Sequence, residues 1–192
     1  MTKVLLLNGP PRSGKDFGGG ALVREALESG NQACVAKFAH VLKERTHAAY
    51  GVMHRGQPAP HDWFETQKDS PVGEFLGRTP REAYIAFSEQ FMKPLHGSNI
   101  FGRLLLSDLR EQGHPDLVVV TDSGFREEAE VLVRFYGAHN ITHVRLHRPG
   151  RTFTGDSRTY IDLTDLGVEP IDIHNDSDEA TLVARLTEAL NA

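Results

Sequence analysis

Apolar residues in this chain come in short bursts separated by stretches of helical spacing. Val4-Leu5-Leu6-Leu7 and Leu117-Val118-Val119-Val120 are continuous apolar runs, the pattern of strands buried on both faces. They predict strands over 3–8 and 116–122. Ala33-Cys34-Val35-Ala36-Lys37-Phe38 predicts another, His143–His147 a short one, and Glu169–His174 a last one. Between them, Ala21, Leu22, Val23, Ala26 and Leu27 recur at helical spacing and place a helix over about 15–28, closed by a turn at Ser29-Gly30-Asn31. Further helices are predicted over Ala39–Tyr50, about 99–112, Arg126–Tyr136, and from about Asp178 onward. Thr79-Pro80-Arg81-Glu82 opens one more. Thr79 suits the N-cap, Pro80 the first helical position, and Glu82 completes a capping box. Tyr84, Ile85, Phe87 and Phe91 would form the apolar face of that helix.

Strands alternating with helices imply an α/β fold, a three-layer α/β/α sandwich around a parallel sheet, with ligands at the C-terminal ends of the strands. The length of 192 residues fits one domain, 1–192, with no internal repeat. Two segments break the pattern. Residues 51–77 are rich in Pro, Gly, His and charge, with Trp63 and Phe64 among them, and irregular segments of that length tend to be functional. Gly18-Gly19-Gly20 falls inside the first predicted helix, where each glycine costs about 1 kcal/mol relative to alanine. Either the first turn is loose, or the glycines admit another element at close range.

Composition narrows the function classes. An apolar content of 39% and a charged content of 24% are those of a soluble globular protein, and the net charge of −5 argues against a broad nucleic-acid-binding face. No apolar run approaches a membrane span, and the first residues lack a signal-peptide pattern, so a cytoplasmic enzyme is expected, with neither nucleic acid nor membrane as partner. A single cysteine, Cys34, excludes an internal disulfide and a multi-cysteine zinc site, and its expected place is the core. The ten histidines are scattered. His139, His143 and His147 are four apart, but the alternation of Ile141–Leu146 reads as a strand, which spoils helical pairing, so solvated or capping roles are expected.

The chemistry sits where the first strand ends. Gly9-Pro10-Pro11-Arg12-Ser13-Gly14-Lys15-Asp16 has the Gly-x-x-x-x-Gly-Lys spacing of a phosphate-binding loop. The glycines let backbone N–H groups turn inward around an anion, Lys15 reaches the outer phosphates, and the following helix points its positive end at them. Asp16 stands where a metal-binding Ser or Thr is usual. Asp122 ends the 117–121 run, where a second carboxylate could help hold Mg²⁺ beside phosphate oxygens; the alternative is that it caps the turn after it. Arg12, Arg81, Arg126, Arg148, Arg151 and Arg158 are candidates to stabilise a transferring phosphoryl group, although a lone arginine is more often a surface ion-pair partner. Residues 148–160, with two glycines and three of those arginines, have the composition of a lid.

The phosphate loop resembles the Gly-Lys-Asp loops of bacteriophage-type deoxynucleoside monophosphate kinases, which tolerate Asp at this position. Asp122-Ser123-Gly124-Phe125-Arg126, followed by Glu127-Glu128, is similar to that family's Asp-x-x-Phe/Tyr-Arg-x-x-Glu segment and to the Asp-Gly-Phe-Pro-Arg strand end of adenylate kinases. Lys68-Asp69-x-Pro71, Thr79-Pro80-Arg81 and Ser88-Glu89 resemble its monophosphate-binding middle region. The resemblance implies a P-loop fold of the adenylate-kinase-like type, with ATP·Mg²⁺ as donor and a nucleoside monophosphate as acceptor. On it, Lys15, Arg12, Arg126 and Arg151 would be catalytic. Gly9, Arg12, Ser13, Gly14, Lys15, Asp16, Arg148 and Asn175 would hold ATP, with Ile173–Asp176 bordering the adenine. Lys68, Arg81, Glu89, Arg103 and Asp122 would hold the acceptor within a helical region at about 39–112, and Asp16 and Asp122 the metal. A homodimer is left open. Two other readings stand beside it. Animal phosphomevalonate kinase shares the Gly-Lys-Asp loop, so another small phosphorylated acceptor fits. A non-catalytic nucleotide-binding module or hydrolysing switch also fits the loop. Trp63, Phe64, Tyr84, Phe87, Phe91 and Phe101 would suit a stacked base, and equally a core.

Overall fold

The computed structural model describes all 192 residues. The chain runs β1 (Lys3–Asn8), α1 (Lys15–Glu28), β2 (Ala33–Ala36), α2 (Phe38–Ala49), a small hairpin of β3 (Met53–His54) and β4 (Gln57–Pro58), α3 (Pro80–Ala86), α4 (Lys93–His96) and α5 (Ile100–Glu111). It closes with β5 (Leu117–Val120), α6 (Arg126–Tyr136), β6 (Ile141–His147), β7 (Pro170–His174) and α7 (Glu179–Asn191). Five strands pair in the order β2-β5-β1-β6-β7, every neighbour parallel.

The apolar runs explain the layers. Val4, Leu6, Val118 and Val120 face one side of the sheet, where α2, α5 and α6 bring Phe38, Phe101, Leu105 and Leu132. Leu5, Leu7, Val119 and Leu146 face the other, against Leu22 of α1 and Leu182 and Leu186 of α7. Alternate residues of one strand thus enter two cores, which is why β1 and β5 read as unbroken hydrophobic sequence. The expected α/β/α sandwich is what forms.

The three glycines of α1 are resolved by geometry. A Cβ on Gly18 would stand 2.5 Å from Leu186 of α7, and one on Gly19 would stand 2.6 Å from the Thr121 methyl and 3.0 Å from Val119, whereas Gly20 faces open space. Close approach of α7 and β5 is the reason for the first two, and the helix is regular from Lys15 onward.

Several local expectations change. The second strand stops at Ala36, because Lys37 is already the N-cap of α2. Cys34 is only half-buried, since β2 lies at the sheet edge. The capping box at Thr79 and Glu82 forms as expected, but the helix it opens gives way after Ala86 to a π-helical turn over Phe87–Met92 before α4. Ala83 and Tyr84 take the buried side of α3, leaving Ile85 56% exposed, and the wider turn carries Phe91 out to 50% exposure. These two positions of the expected apolar face therefore do not pack inward. Residues 51–77 build a satellite core with α3, in which Val52, Ala59, Phe64 and Phe75 meet Ala83 and Tyr84. At its centre His47 is fully buried, with Nδ1 2.7 Å from the Ala59 carbonyl and Nε2 2.8 Å from the Tyr84 hydroxyl. His143 is fully buried in β6, with neither ring nitrogen bonded. Both correct the expectation of solvated histidines: the alternation of β6 turns His143 inward, and His47 ties the satellite core together. No helix is long and apolar enough to cross a membrane.

Candidate phosphate-binding site

The site forms at the C-terminal edge of the sheet, where β1, β2 and β5 end side by side. Gly14 adopts φ 105° and Arg12 φ 62°, left-handed conformations that fold the loop back toward the start of α1. Gly9 is held against the carbonyl of Leu146, 2.7 Å from where a Cβ would be, so only glycine fits there. Asn175, just past β7, supports the loop from outside by donating Nδ2 to the Ser13 carbonyl at 2.9 Å. Lys15 curls into the cradle, donating Nζ to the carbonyls of Gly9 (2.7 Å) and Pro10 (2.8 Å). Burial, and then the charge of Arg158, lower its pKa to about 8, against the opposing pull of Asp16 and Asp122. A cation held among carbonyls in this way is poised to exchange them for phosphate oxygens.

Asp16 makes two contacts through one oxygen. Thr121, at the end of β5, donates its hydroxyl to Oδ1 at 2.8 Å, and Lys37 lies 2.5 Å from the same atom. Burial pushes the carboxyl up, but the hydrogen bonds from Lys37 and Thr121 outweigh it and hold Asp16 below the usual carboxylate range. Its side chain is 71% exposed, so the carboxylate opens onto the cleft. An exposed carboxylate beside a hydroxyl, next to a phosphate cradle, matches the hard oxygen donors that Mg²⁺ takes. Asp16, oriented by the Thr121 hydroxyl, is therefore the residue that could hold a metal.

Asp122 is placed differently. Its Oδ1 accepts from the Phe38 N–H at 3.0 Å and its Oδ2 from the Ala39 N–H at 2.8 Å, so it binds the first turn of α2 rather than capping the turn after itself. Burial raises its pKa against these two backbone bonds. Arg158 belongs to the segment 148–160, and its charge acts on Lys15. It forms a forked pair with Asp156, 2.8 Å at Nε and 2.5 Å at the terminal nitrogen, and lies across Gly124, whose missing Cβ would sit 2.6 Å from its chain. Asn8 pins the end of that segment, donating to the Thr159 carbonyl at 2.9 Å and accepting from the Ile161 N–H at 2.8 Å.

The other residues singled out from sequence fall into separate groups. Arg148 reaches the Arg12 carbonyl at 3.3 Å, linking the segment 148–160 to the phosphate loop. Beside them is a cavity of about 420 Å³ lined by Pro10, Arg148, Arg151, Tyr160, His147 and His174. His147 stacks on His174 with centroids 5.1 Å apart, and Tyr160 leans on His147 at 4.7 Å. Lys68 and Arg81 share one unit: the Arg81 N–H donates to the Lys68 carbonyl at 3.1 Å, while their side chains pair with Glu65 and Asp69. Glu89 accepts from Lys93 at 2.6 Å and from Ser88 at 2.9 Å. Arg103 is exposed on α5. Arg126 turns to the carbonyl of Asp162 and the carboxylate of Asp165, not to the phosphate loop. Thr121 and Lys37 went unmarked in sequence reasoning. Thr121 ends an apolar run and Lys37 joins a strand to a helix, so position alone could have flagged both as lying on the ligand edge.

No protein-family model matches the sequence, and no curated protein matches it at a significant level. Solved structures do match it. The Mycobacterium tuberculosis APS kinase CysC in complex with AMPPNP and APS aligns over 100% of this chain and 98% of its own, at 14% identity and a TM-score of 0.52. A shikimate kinase from Bacteroides thetaiotaomicron aligns more loosely, over 99% of each chain at 15% identity and a TM-score of 0.44. The parallel sheet and the phosphate loop define a three-layer α/β/α fold of the P-loop type. The likeness to this APS kinase is one of architecture alone at that identity.

Proposed function

We propose that the chain is an ATP-dependent phosphotransferase that uses Mg²⁺ and phosphorylates a nucleoside monophosphate to the diphosphate. One observation carries the proposal: Lys15 is curled into the glycine cradle at the end of β1, the Thr121-bound Asp16 carboxylate follows it in the chain, and the charge of Arg158 acts on its ammonium. Phosphoryl transfer asks protein groups for position and positive charge more than for covalent work. Lys15 would move from the loop carbonyls to the outer donor phosphates. Arg158 would neutralise the equatorial oxygens, and Arg12, Arg126 and Arg151 keep the catalytic roles that the resemblance implies only if lid closure redirects them. Bound Mg²⁺ would offset donor charge and would be held by Asp16, with Asp122 anchoring α2 behind it. The cavity between Pro10, Arg148 and the His147–His174 stack suits the donor base, a planar ring being what stacked aromatic rings accept.

The acceptor half rests on Lys68 and Arg81, held together by backbone and paired only with exposed acids that a phosphate could replace, and on Glu89 near the π-helical turn. The APS kinase of like fold carries AMPPNP and APS together, consistent with one fold holding a donor and an acceptor. A coupled assay with ATP across ribo- and deoxynucleoside monophosphates tests the proposal. Phosphorylation of at least one is expected; turnover only with phosphomevalonate, or only hydrolysis, would overturn it.

A further inference from the structure

Lys37 is the group whose placement the proposed reaction leaves unused. It stands at the end of β2 as the N-cap of α2, its side chain only 24% exposed, and its ammonium lies 2.5 Å from Asp16 Oδ1. That oxygen also takes the Thr121 hydroxyl. A tethered cation therefore occupies the carboxylate that suits the metal. An ordinary surface ion pair is worth little and needs no such location. This one lies on the ligand edge of the sheet, at a helix start whose first two N–H groups are held by Asp122.

We infer that Lys37 is a displaceable counter-ion: it guards Asp16 until metal and nucleotide arrive, then turns its ammonium to the donor phosphates. Two positive charges cannot share Asp16 Oδ1 at close range without strong repulsion, so arrival of a divalent cation must loosen Lys37. The freed side chain starts beside Asp16, which follows Lys15 in the chain, and phosphate oxygens offer it a stronger partner. Because Lys37 also begins α2, its release touches the helix that leads into the acceptor-binding region, linking donor loading to the acceptor side. The inference rests on the phosphotransfer reading for its second half and on Asp16 alone for its first.

The two halves separate experimentally. Mn²⁺ binding to the nucleotide-free protein, read from the free-ion electron paramagnetic resonance signal, needs no turnover. Lys37→Met should bind Mn²⁺ at least threefold more tightly than the wild type, because the competing ammonium is gone, while Asp16→Asn should bind it at least tenfold more weakly. In the assay, Lys37→Met should lose at least tenfold in kcat with a smaller change in the KM of the acceptor, and Lys37→Arg should recover most of that loss. Thermal melting within a few degrees of the wild type confirms that each variant is folded. Unchanged or weaker Mn²⁺ binding in Lys37→Met overturns the counter-ion role, whatever the turnover. Tighter Mn²⁺ with undiminished kcat overturns delivery to the phosphates. If no acceptor is phosphorylated even by the wild type, the phosphotransfer reading fails, while the metal titration still judges Lys37.

Discussion

At the scale of single residues, the site departs from the usual phosphate loop at one position. The loop position that commonly carries a hydroxyl carries the Asp16 carboxylate, and the buried Thr121, just past β5, donates its hydroxyl to it at 2.8 Å. Thr121→Val tests this pairing. It keeps the shape that packs on Gly19 and leaves Asp16 exposed to water, so stability should change by about 1 kcal/mol or less. Affinity for Mg²⁺·ADP, measured by calorimetry, should fall about three- to tenfold; an unchanged affinity would show that the hydroxyl does not orient Asp16. Asp16 was legible in the sequence because its neighbours fix the motif. Thr121 and Lys37 were not, because their partner lies 105 and 21 positions away in the chain and only strand pairing brings them together.

At the scale of elements, hydrophobic period was the reliable signal. The buried strands β1 and β5 and the capped start of α3 are placed by local sequence, since burial on both faces and a capping box leave few alternatives. The π-helical turn after α3 was not legible, because Phe87–Met92 has the same apolar spacing as an ordinary helix. The glycines of α1 lie between these cases: their cost was visible, but the elements that need the space were not. They give a paired prediction. Gly19→Ala drives a Cβ against a stiff Thr121 methyl and Val119, and should lower the unfolding free energy by about 1–3 kcal/mol. Gly20→Ala meets nothing within 4 Å and should raise it by about 0.5–1 kcal/mol. Urea denaturation of both variants measures this, and equal effects would contradict the packing described for α1.

At the scale of the whole molecule, a buried acid sets part of the response to pH. Glu128 is 4% exposed on α6, where burial, and then the charge of Asp122, push its pKa up to about 8; Lys93 opposes this, and Glu127 and Glu89 add to it. A carboxyl raised in the folded state supports folding fully below its unfolded value of 4.5, and that support is lost as pH rises through about 8. Glu128→Gln should therefore be more stable than the wild type at pH 8, by about 1–4 kcal/mol, with the difference closing toward pH 4.5. Chemical denaturation at several pH values checks this, and a constant difference would remove Glu128 from the account. The parallel α/β/α architecture was readable from the alternation of elements, and the phosphate loop from its spacing. The proposed acceptor side was less so. Its candidates are spread over 68–122 and fall into separate groups, around a satellite core and a π-helical turn that no local pattern marks.

On the proposed function ATP is consumed in order to phosphorylate an acceptor, and ADP release with and without an acceptor tests this. With ATP and Mg²⁺ alone, release should be slow. Adding the preferred nucleoside monophosphate should speed it at least a hundredfold and yield one nucleoside diphosphate for each ADP formed from ATP. Release at the same rate with every nucleoside monophosphate as with none would contradict the account.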